Sequence, residues 1–292
     1  MKKTIAAILA GALCLTALTA CGGSKTDSSA ADSSAAAGDD KTITVGATPT
    51  PHAEILNAAK DALKAEGYTL NVVEFTDYVQ PNTALVDGDL DANYFQHMPY
   101  LNNFNKENNA DLVSAIEMHY EPFGIYAGKT ASIEELKDGA AIAIPNDGSN
   151  ETRALLLLQD AGLIKLKDSA EFNPTIDDIE TYNTKITIEE LKANVIPSTL
   201  ADVTAAVVNG NYALDFGLKT EDAIYKDDQL DIEEYWNLIA ARSADLEDAD
   251  KLETYKKVVA AFQSDETEKV FNDQFGGYFI KAGWDQDLLA DK

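Results

Sequence analysis

The stretch 140–153, AAIAIPNDGSNETR, has the pattern on which α/β folds are built: a strand, a polar loop and a helix. Residues 140–145 form a compact apolar run that predicts a buried strand. The polar loop that follows contains one glycine. Residues 151–161 predict a helix that ends at Gly162, because glycine commonly terminates helices.

The first turn of this predicted helix carries Arg153. A cation is unfavourable there, because the helix N-terminus already has unpaired N–H groups and a partial positive charge. The chain has only two arginines, Arg153 and Arg242, among 23 basic residues. A guanidinium suits a carboxylate bound at the helix start. We therefore predict a carboxylate-binding site, with pairing of Arg153 to Glu151 or Asp147 as the alternative.

The N-terminal segment 1–20 has the pattern of a secretion signal, with two lysines, an apolar run at 5–18 and the sequence LTAC at 18–21. The apolar run is too short for a stable membrane span, and LTAC resembles the bacterial lipoprotein signal. Cys21 would become the lipidated N-terminus; the alternative is a simple cleaved signal with an incidental cysteine. The protein is therefore expected on the extracytoplasmic face of the cell membrane, held by its lipid anchor.

Residues 21–40 are rich in Ser, Ala, Gly and Asp and contain no large apolar residue after Cys21, which predicts a flexible tether. The other cysteine, Cys14, would leave with the signal, so the mature chain could form no disulfide. The fold must then rest on its core, and about 250 residues can supply one. The net charge of −27 excludes a basic nucleic-acid footprint.

Strands and helices alternate along the predicted domain, which favours an α/β fold with largely parallel sheets. Strands are predicted at 42–46, 70–75, 90–94, 113–116, 123–127, 140–145, 212–216 and 235–241. Helices are predicted at 53–66, 80–87, 99–108, 133–137, 151–161, 188–191, 198–207, 251–264 and 266–275.

No sequence motif points to catalysis or to a metal. His52, His97 and His119 lack metal-ligand spacing, and no reactive thiol would survive processing. The sequence at 87–91 resembles the start of a calcium loop, but the required Gly and Glu positions hold Ala92 and Met98. Nucleophile-elbow, phosphate-loop and zinc-protease motifs are absent from the sequence. We expect no cofactor, no metal and no catalytic residue.

Aromatic and amide residues follow two of the predicted strands, in the segments FTDY at 75–78 and YFQHMPY at 94–100. Ligands of open α/β sheets bind at the carboxyl ends of strands, and aromatic walls with a few polar groups are typical of small-molecule pockets. The alternative is that these aromatics belong to the ordinary core.

Several segments together resemble the NlpA/MetQ family, the lipid-anchored methionine-binding proteins of bacterial ABC importers. They are the lipoprotein signal, TPTPH at 48–52, FTDYVQPN at 75–82, FQHMPYL at 95–101, AVVN at 206–209 and YA at 212–213. The similarity extends from residue 41 to about 284. It implies a two-lobed fold like that of periplasmic binding proteins, with a ligand cleft between the lobes. Lobe I would comprise residues 41–125 and 235–292, and lobe II residues 126–234.

The resemblance also implies roles for individual residues. Arg153 would bind the carboxylate of methionine, and Asn209 and Asn237 would bind its charged groups. Tyr78, Phe95 and His97 would enclose the thioether side chain. These roles agree with physical chemistry, because a buried unpaired charge is costly and aromatic rings suit a polarisable sulfur. By itself, the Asn-Gly pair at Asn209 is equally a turn signal.

The function implied by the resemblance is that of a receptor, not an enzyme, which delivers methionine to a membrane permease and its ATPase. The protein is expected to be a monomer that touches the membrane only through its lipid. A receptor for another small apolar amino acid or a short peptide remains open. Two different classes also remain: an extracytoplasmic amino-acid-processing enzyme, and an adhesion or structural lipoprotein.

Overall fold

The computed structural model describes residues 41–170, 173–227 and 232–290, so the predicted signal, Cys21 and the tether at 21–40 lie outside the described residues. The strands are β1 Thr42–Ala47, β2 Thr69–Glu74, β3 Ala92–His97, β4 Leu112–Tyr120, β5 Phe123–Ala127, β6 Ala141–Pro145, β7 Ile164–Leu166, β8 Ile179–Tyr182, β9 Thr187–Leu191, β10 Ala205–Asn209, β11 Ala223–Lys226, β12 Trp236–Arg242 and β13 Ile280–Lys281. The α-helices are α1 Glu54–Ala58, α2 Lys60–Ala65, α3 Gln80–Asp87, α4 Met98–Asn108, α5 Gly148–Asp160, α6 Ile196–Thr199, α7 Gly210–Asp215, α8 Ser243–Glu247, α9 Ala249–Phe262 and α10 Asp265–Lys269.

The first sheet has six strands in the order β13-β4-β12-β3-β1-β2. Its strand β12 shows how the sheet is buried on both faces. Leu238 and Ala240 belong to one apolar cluster, and Ile239 and Ala241 to another, because successive side chains of a strand point to opposite faces. The sheet is therefore the middle layer between two cores.

The second sheet has five strands in the order β11-β5-β10-β6-β9, and β7 and β8 form a separate pair. Its central strand β10 is built like β12. Ala205 and Val207 pack into one cluster, and Ala206 and Val208 pack into the other. This sheet is also covered by apolar residues on both faces.

The chain passes between the sheets twice, from β4 to β5 and back from β11 to β12. The α/β class and the two-lobed fold are confirmed. The lobe boundaries at 125/126 and 234/235 stay predictions. The expectation of largely parallel sheets is wrong. In the first sheet β12 is antiparallel to both neighbours, and in the second β5 is antiparallel to β10 and β11.

Three predicted elements have the opposite secondary structure. Residues 188–191 lie in strand β9 rather than in a helix, and residues 212–216 overlap helix α7 rather than a strand. The helix predicted at 198–207 is a short turn, α6, followed by strand β10. Strand β10 is buried on both faces and lacks the alternation that distinguishes a strand from a helix, so pattern alone misassigned it. β9 is a partly exposed edge strand, and its pairing with β6 decides its conformation. The described residues 133–137 form no helix.

The Asn-Gly pair at Asn209 is not a hairpin turn. Gly210 is the first residue of α7, and a Cβ there would lie 2.6 Å from the carbonyl oxygen of Pro122. Only glycine allows the start of α7 to pack so closely on the segment that joins the sheets. The glycine therefore positions Asn209 at the end of β10, beside the passage from β4 to β5.

Candidate ligand-binding site

A narrow slot opens between residues of the two sheets and the helices that follow their strands. Its cavity volume is about 10 Å³, room for roughly one water molecule, so the surrounding side chains nearly touch. The ten lining residues are Tyr78, Phe95, Gln96, His97, Tyr100, Glu121, Asn150, Arg153, Asn209 and Asn237. The structure thus brings together all six residues predicted for the site. Their role in binding a ligand stays a prediction.

A larger hollow of about 470 Å³ lies around Tyr68, Asp91 and Tyr255. It is found at the amino ends of β1, β2 and β3, whereas ligands of α/β sheets bind at the carboxyl ends. The slot lies where β3 and β10 end, at His97 and Asn209. Position therefore favours the small slot over the larger hollow as the ligand site.

Arg153 is deeply buried, with 4% of its side chain exposed. Its Nε and Nη2 donate to Oδ2 of Asp227 at 2.9 and 2.8 Å, and Nη2 also donates to the Tyr120 hydroxyl at 3.1 Å and the Glu121 carbonyl at 3.2 Å. Its guanidinium carbon lies 4.5 Å from the ring centre of Phe123.

The helix around Arg153 begins earlier than predicted. Asp147 caps α5, and its carboxylate accepts from the Asn150 backbone N–H at 3.0 Å. Arg153 therefore follows the first turn, so its position does not oppose the helix dipole as the sequence suggested. Arg153 does pair with an acid, as the alternative expected, but that acid is Asp227, 74 residues further along the chain, rather than Glu151 or Asp147.

Three asparagines supply amide groups to the slot. Asn150 Oδ1 accepts from Asn209 Nδ2 at 2.9 Å. Asn209 Oδ1 is buried and accepts no hydrogen bond from the described residues. Asn237 Oδ1 accepts from His52 Nε2 at 3.0 Å. A buried unpaired oxygen such as that of Asn209 is costly, and a cationic group of a ligand would satisfy it.

Glu121 is an acidic residue of the slot that the sequence did not indicate. Its Oε1 accepts from the Asn211 backbone N–H at 3.1 Å, and only 5% of the residue is exposed. Burial raises the pKa of Glu121 to about 7, although the N–H of Asn211 and the charge of Arg153 oppose the rise. A cation bound beside this carboxyl would favour its charged form.

The aromatic wall comes from β3, α4 and the loop after β2. The Tyr78 ring centre lies 5.7 Å from that of Phe95 and 5.9 Å from that of Tyr100. Tyr78 also stacks on Tyr212 of α7 at 4.8 Å, and its hydroxyl donates to Asn211 Oδ1 at 2.6 Å. These contacts cross from the first sheet's side of the slot to the second's and hold the two sides together.

His97 caps helix α4, where its Nδ1 accepts from the Tyr100 backbone N–H at 3.3 Å. The proton is therefore on Nε2, which lies 3.4 Å from Asn150 Oδ1. Burial, with a smaller effect of the Arg153 charge, lowers the pKa of His97 to about 3. The ring is neutral, and it contributes an apolar face and one N–H rather than a charge.

Four slot residues were absent from the predicted set: Gln96, Tyr100, Glu121 and Asn150. Gln96 and Tyr100 stand within the segment 94–100, and Asn150 within the opening stretch, so proximity to those motifs could have indicated them. Glu121 is different. No motif surrounds it, and it reaches the slot only because β4 ends where the chain crosses to the second sheet.

Two covered sheets joined by two chain crossings, with a polar and aromatic slot between them, define the class of two-lobed ligand-binding receptors. The family model described as NlpA lipoprotein matches residues 43–283, and the chain belongs to this family.

The D-methionine-binding lipoprotein MetQ of Salmonella typhi is 43% identical over 230 residues, which are 78% of this chain and 82% of that protein. Membrane lipoprotein TpN32 of Treponema pallidum is 40% identical over 61% of this chain and 67% of its own length.

Solved structures agree with this assignment. A nutrient-binding protein from Burkholderia cenocepacia, bound to methionine, superposes with a TM-score of 0.77 at 43% identity, covering 82% of this chain and 99% of that one. A putative lipoprotein from Ruminococcus gnavus gives 0.79 at 45% identity, covering 83% and 99%. None of the helices in the described part of the chain is long and apolar enough to cross a membrane.

Proposed function

We propose that the protein binds methionine between its lobes and delivers it to an ABC permease and its ATPase. The observation that carries the proposal is the composition of the slot, which offers a partner for each part of this ligand. Arg153 supplies a guanidinium for the carboxylate. Glu121, Asn209 and Asn237 supply oxygens for the ammonium. The rings of Tyr78 and Phe95 suit the thioether.

The slot must widen to admit an amino acid, because its volume is only about 10 Å³. The two passages between the sheets are the natural hinges, and a ligand that contacts both lobes would favour the closed arrangement. Small-angle scattering should therefore show the unliganded protein becoming more compact when methionine is added. An unchanged radius of gyration in a sample freed of ligand would contradict the closure.

Calorimetric titration of refolded, ligand-free protein tests whether methionine is the ligand and which of its groups the protein recognises. L-Methionine should bind with 1:1 stoichiometry. Norleucine, which replaces the sulfur by a methylene, should bind roughly 2–10-fold more weakly. Methionine methyl ester and N-acetylmethionine each lack one charged group and should bind at least about 30-fold more weakly.

The alternatives give different results in the same experiment. Tighter binding of leucine or of a methionine-containing dipeptide than of methionine would favour a receptor for another apolar amino acid or a short peptide. Chemical conversion of methionine during prolonged incubation would indicate an enzyme. No saturable binding of any of these compounds would overturn the proposal and favour a structural lipoprotein.

The comparisons support an anchored protein, and we propose that the anchor is a lipid on Cys21 at the extracytoplasmic face of the cell membrane. The monomeric state is part of the same proposal, since the slot is completed by one chain.

A further inference from the structure

Beneath the slot, His52, His119 and Glu121 form a compact cluster of ligand atoms. Glu121 Oε2 lies 3.8 Å from His52 Nε2 and 4.0 Å from His119 Nε2, and one ligand atom of each residue lies within 4.8 Å of the other two. Both histidines are 0% exposed and Glu121 is 5% exposed. The tertiary structure thus assembles a His-His-Glu set from residues that the sequence separates.

The outer nitrogens of both imidazoles are held in place by hydroxyl groups. His52 Nδ1 lies 2.7 Å from Thr48 Oγ1, and His119 Nδ1 lies 2.5 Å from the Tyr94 hydroxyl. Metal-bound histidines are usually oriented in this way, with the non-ligating nitrogen donating to an oxygen. The two contacts therefore turn both Nε2 atoms toward Glu121.

The inner nitrogen of His119 is the second indication of a ligand. It is buried and has no hydrogen-bond partner among the described residues. His52 Nε2 currently donates to Asn237 Oδ1, and a shift of its proton to Nδ1, with Thr48 as acceptor, would free the lone pair of Nε2. Asn237 Oδ1 would then be a fourth polar atom beside the two nitrogens and the carboxylate oxygen of the cluster.

From this geometry we propose that His52, His119 and Glu121 bind one divalent transition metal ion, of which Zn²⁺ is the probe of choice. A point between the three ligand atoms lies about 2.5 Å from each, so inward shifts of a few tenths of an ångström give the usual zinc distances of about 2.0–2.2 Å. Two imidazoles and a carboxylate are a donor set that suits zinc. The carboxylate also supplies the negative charge that a buried cation needs.

The slot is the route by which an ion would reach the cluster, because Glu121 and Asn237 line both. The metal site does not depend on which amino acid the slot binds. Metal binding is therefore measured in the absence of methionine, so its failure would leave the proposed receptor function unaffected.

The experiment uses the full-length lipoprotein in detergent after chelator treatment. Zinc binding is measured by calorimetry, and Co²⁺ replaces zinc for absorption spectroscopy. Wild-type protein should take up one tightly bound equivalent. The Co²⁺ spectrum should show nitrogen and oxygen coordination.

Two ligand substitutions, His119→Gln and Glu121→Gln, should each weaken zinc binding by more than about 100-fold, and Tyr94→Phe by about 10–100-fold because it removes an orienting contact. The chain has three histidines, so His97→Gln is the matched control and should retain wild-type zinc affinity. Circular dichroism identifies which variants are folded. The proposal is overturned if wild-type protein binds no stoichiometric zinc, or if whichever ligand variant folds binds zinc as tightly as the wild type.

Discussion

Replacement of Arg153 by alanine tests both the ligand site and the interior of the protein. The side chains of Arg153 and Asp227 are 4% and 8% exposed, and two guanidinium nitrogens donate to one Asp227 oxygen at 2.9 and 2.8 Å. Removing one member of such a buried pair costs about 3–5 kcal/mol, because the remaining buried charge loses this ionic contact. For a chain of this size, the melting temperature should fall by roughly 10 °C.

The same substitution removes the cation proposed for the carboxylate of methionine. Methionine affinity should fall by about 30-fold to several thousandfold, or roughly 2–5 kcal/mol. Arg153→Lys should recover part of the affinity, because an ammonium lacks the planar fork. Calorimetry on the folded variant gives the affinity, and differential scanning calorimetry gives the melting temperature.

The other arginine provides the matched control. Arg242 pairs with Asp245 at 2.6 Å and donates to two carbonyl oxygens away from the slot. Arg242→Ala should lower stability but leave methionine affinity within about twofold of wild type. The double variant Arg153→Met with Asp227→Asn should be more stable than Arg153→Ala, because a neutral amide replaces the buried carboxylate that has lost the guanidinium. A melting temperature of Arg153→Ala within 2 °C of wild type would refute the reasoning, whereas wild-type affinity would refute the site.

Three further predictions concern protons, lobe contacts and the anchor. Burial raises the pKa of Glu121 to about 7, so methionine affinity should fall about tenfold per pH unit below 7. In that range, methionine binding should release one proton, which calorimetry in buffers of different ionisation enthalpy measures. The Glu121→Gln variant should show neither the pH dependence nor the proton release. Tyr78→Phe removes the 2.6 Å hydrogen bond to Asn211 and should weaken methionine binding by about 2–12-fold. Tyr182 is exposed, and the control variant Tyr182→Phe should bind methionine like the wild type. Equal methionine affinities of Tyr78→Phe and wild type would contradict a role of this contact in binding. Cys21→Ser should abolish processing and lipid attachment, and a variant that is still membrane-bound and processed at the same site would contradict lipidation.

The sequence determined the class of this protein through local patterns. Apolar runs with turn residues between them predicted strands such as β1, β5 and β6 and helices such as α3 and α4 close to their observed bounds. The motifs around Tyr78 and Phe95 indicated the family and part of the slot. These features depend on neighbours in the chain, where period, capping and turn preferences act.

Only the tertiary structure decided the features that depend on distant partners. β10 was misassigned because burial on both faces erases the pattern that separates a strand from a helix. The strand conformation of β9, a partly exposed edge strand, depends on its pairing with β6. The pairing of Arg153 with Asp227, and the meeting of His52 with Glu121, join residues far apart in the chain. No local preference encodes such contacts, since the packing of two sheets and the crossings between them bring these side chains together.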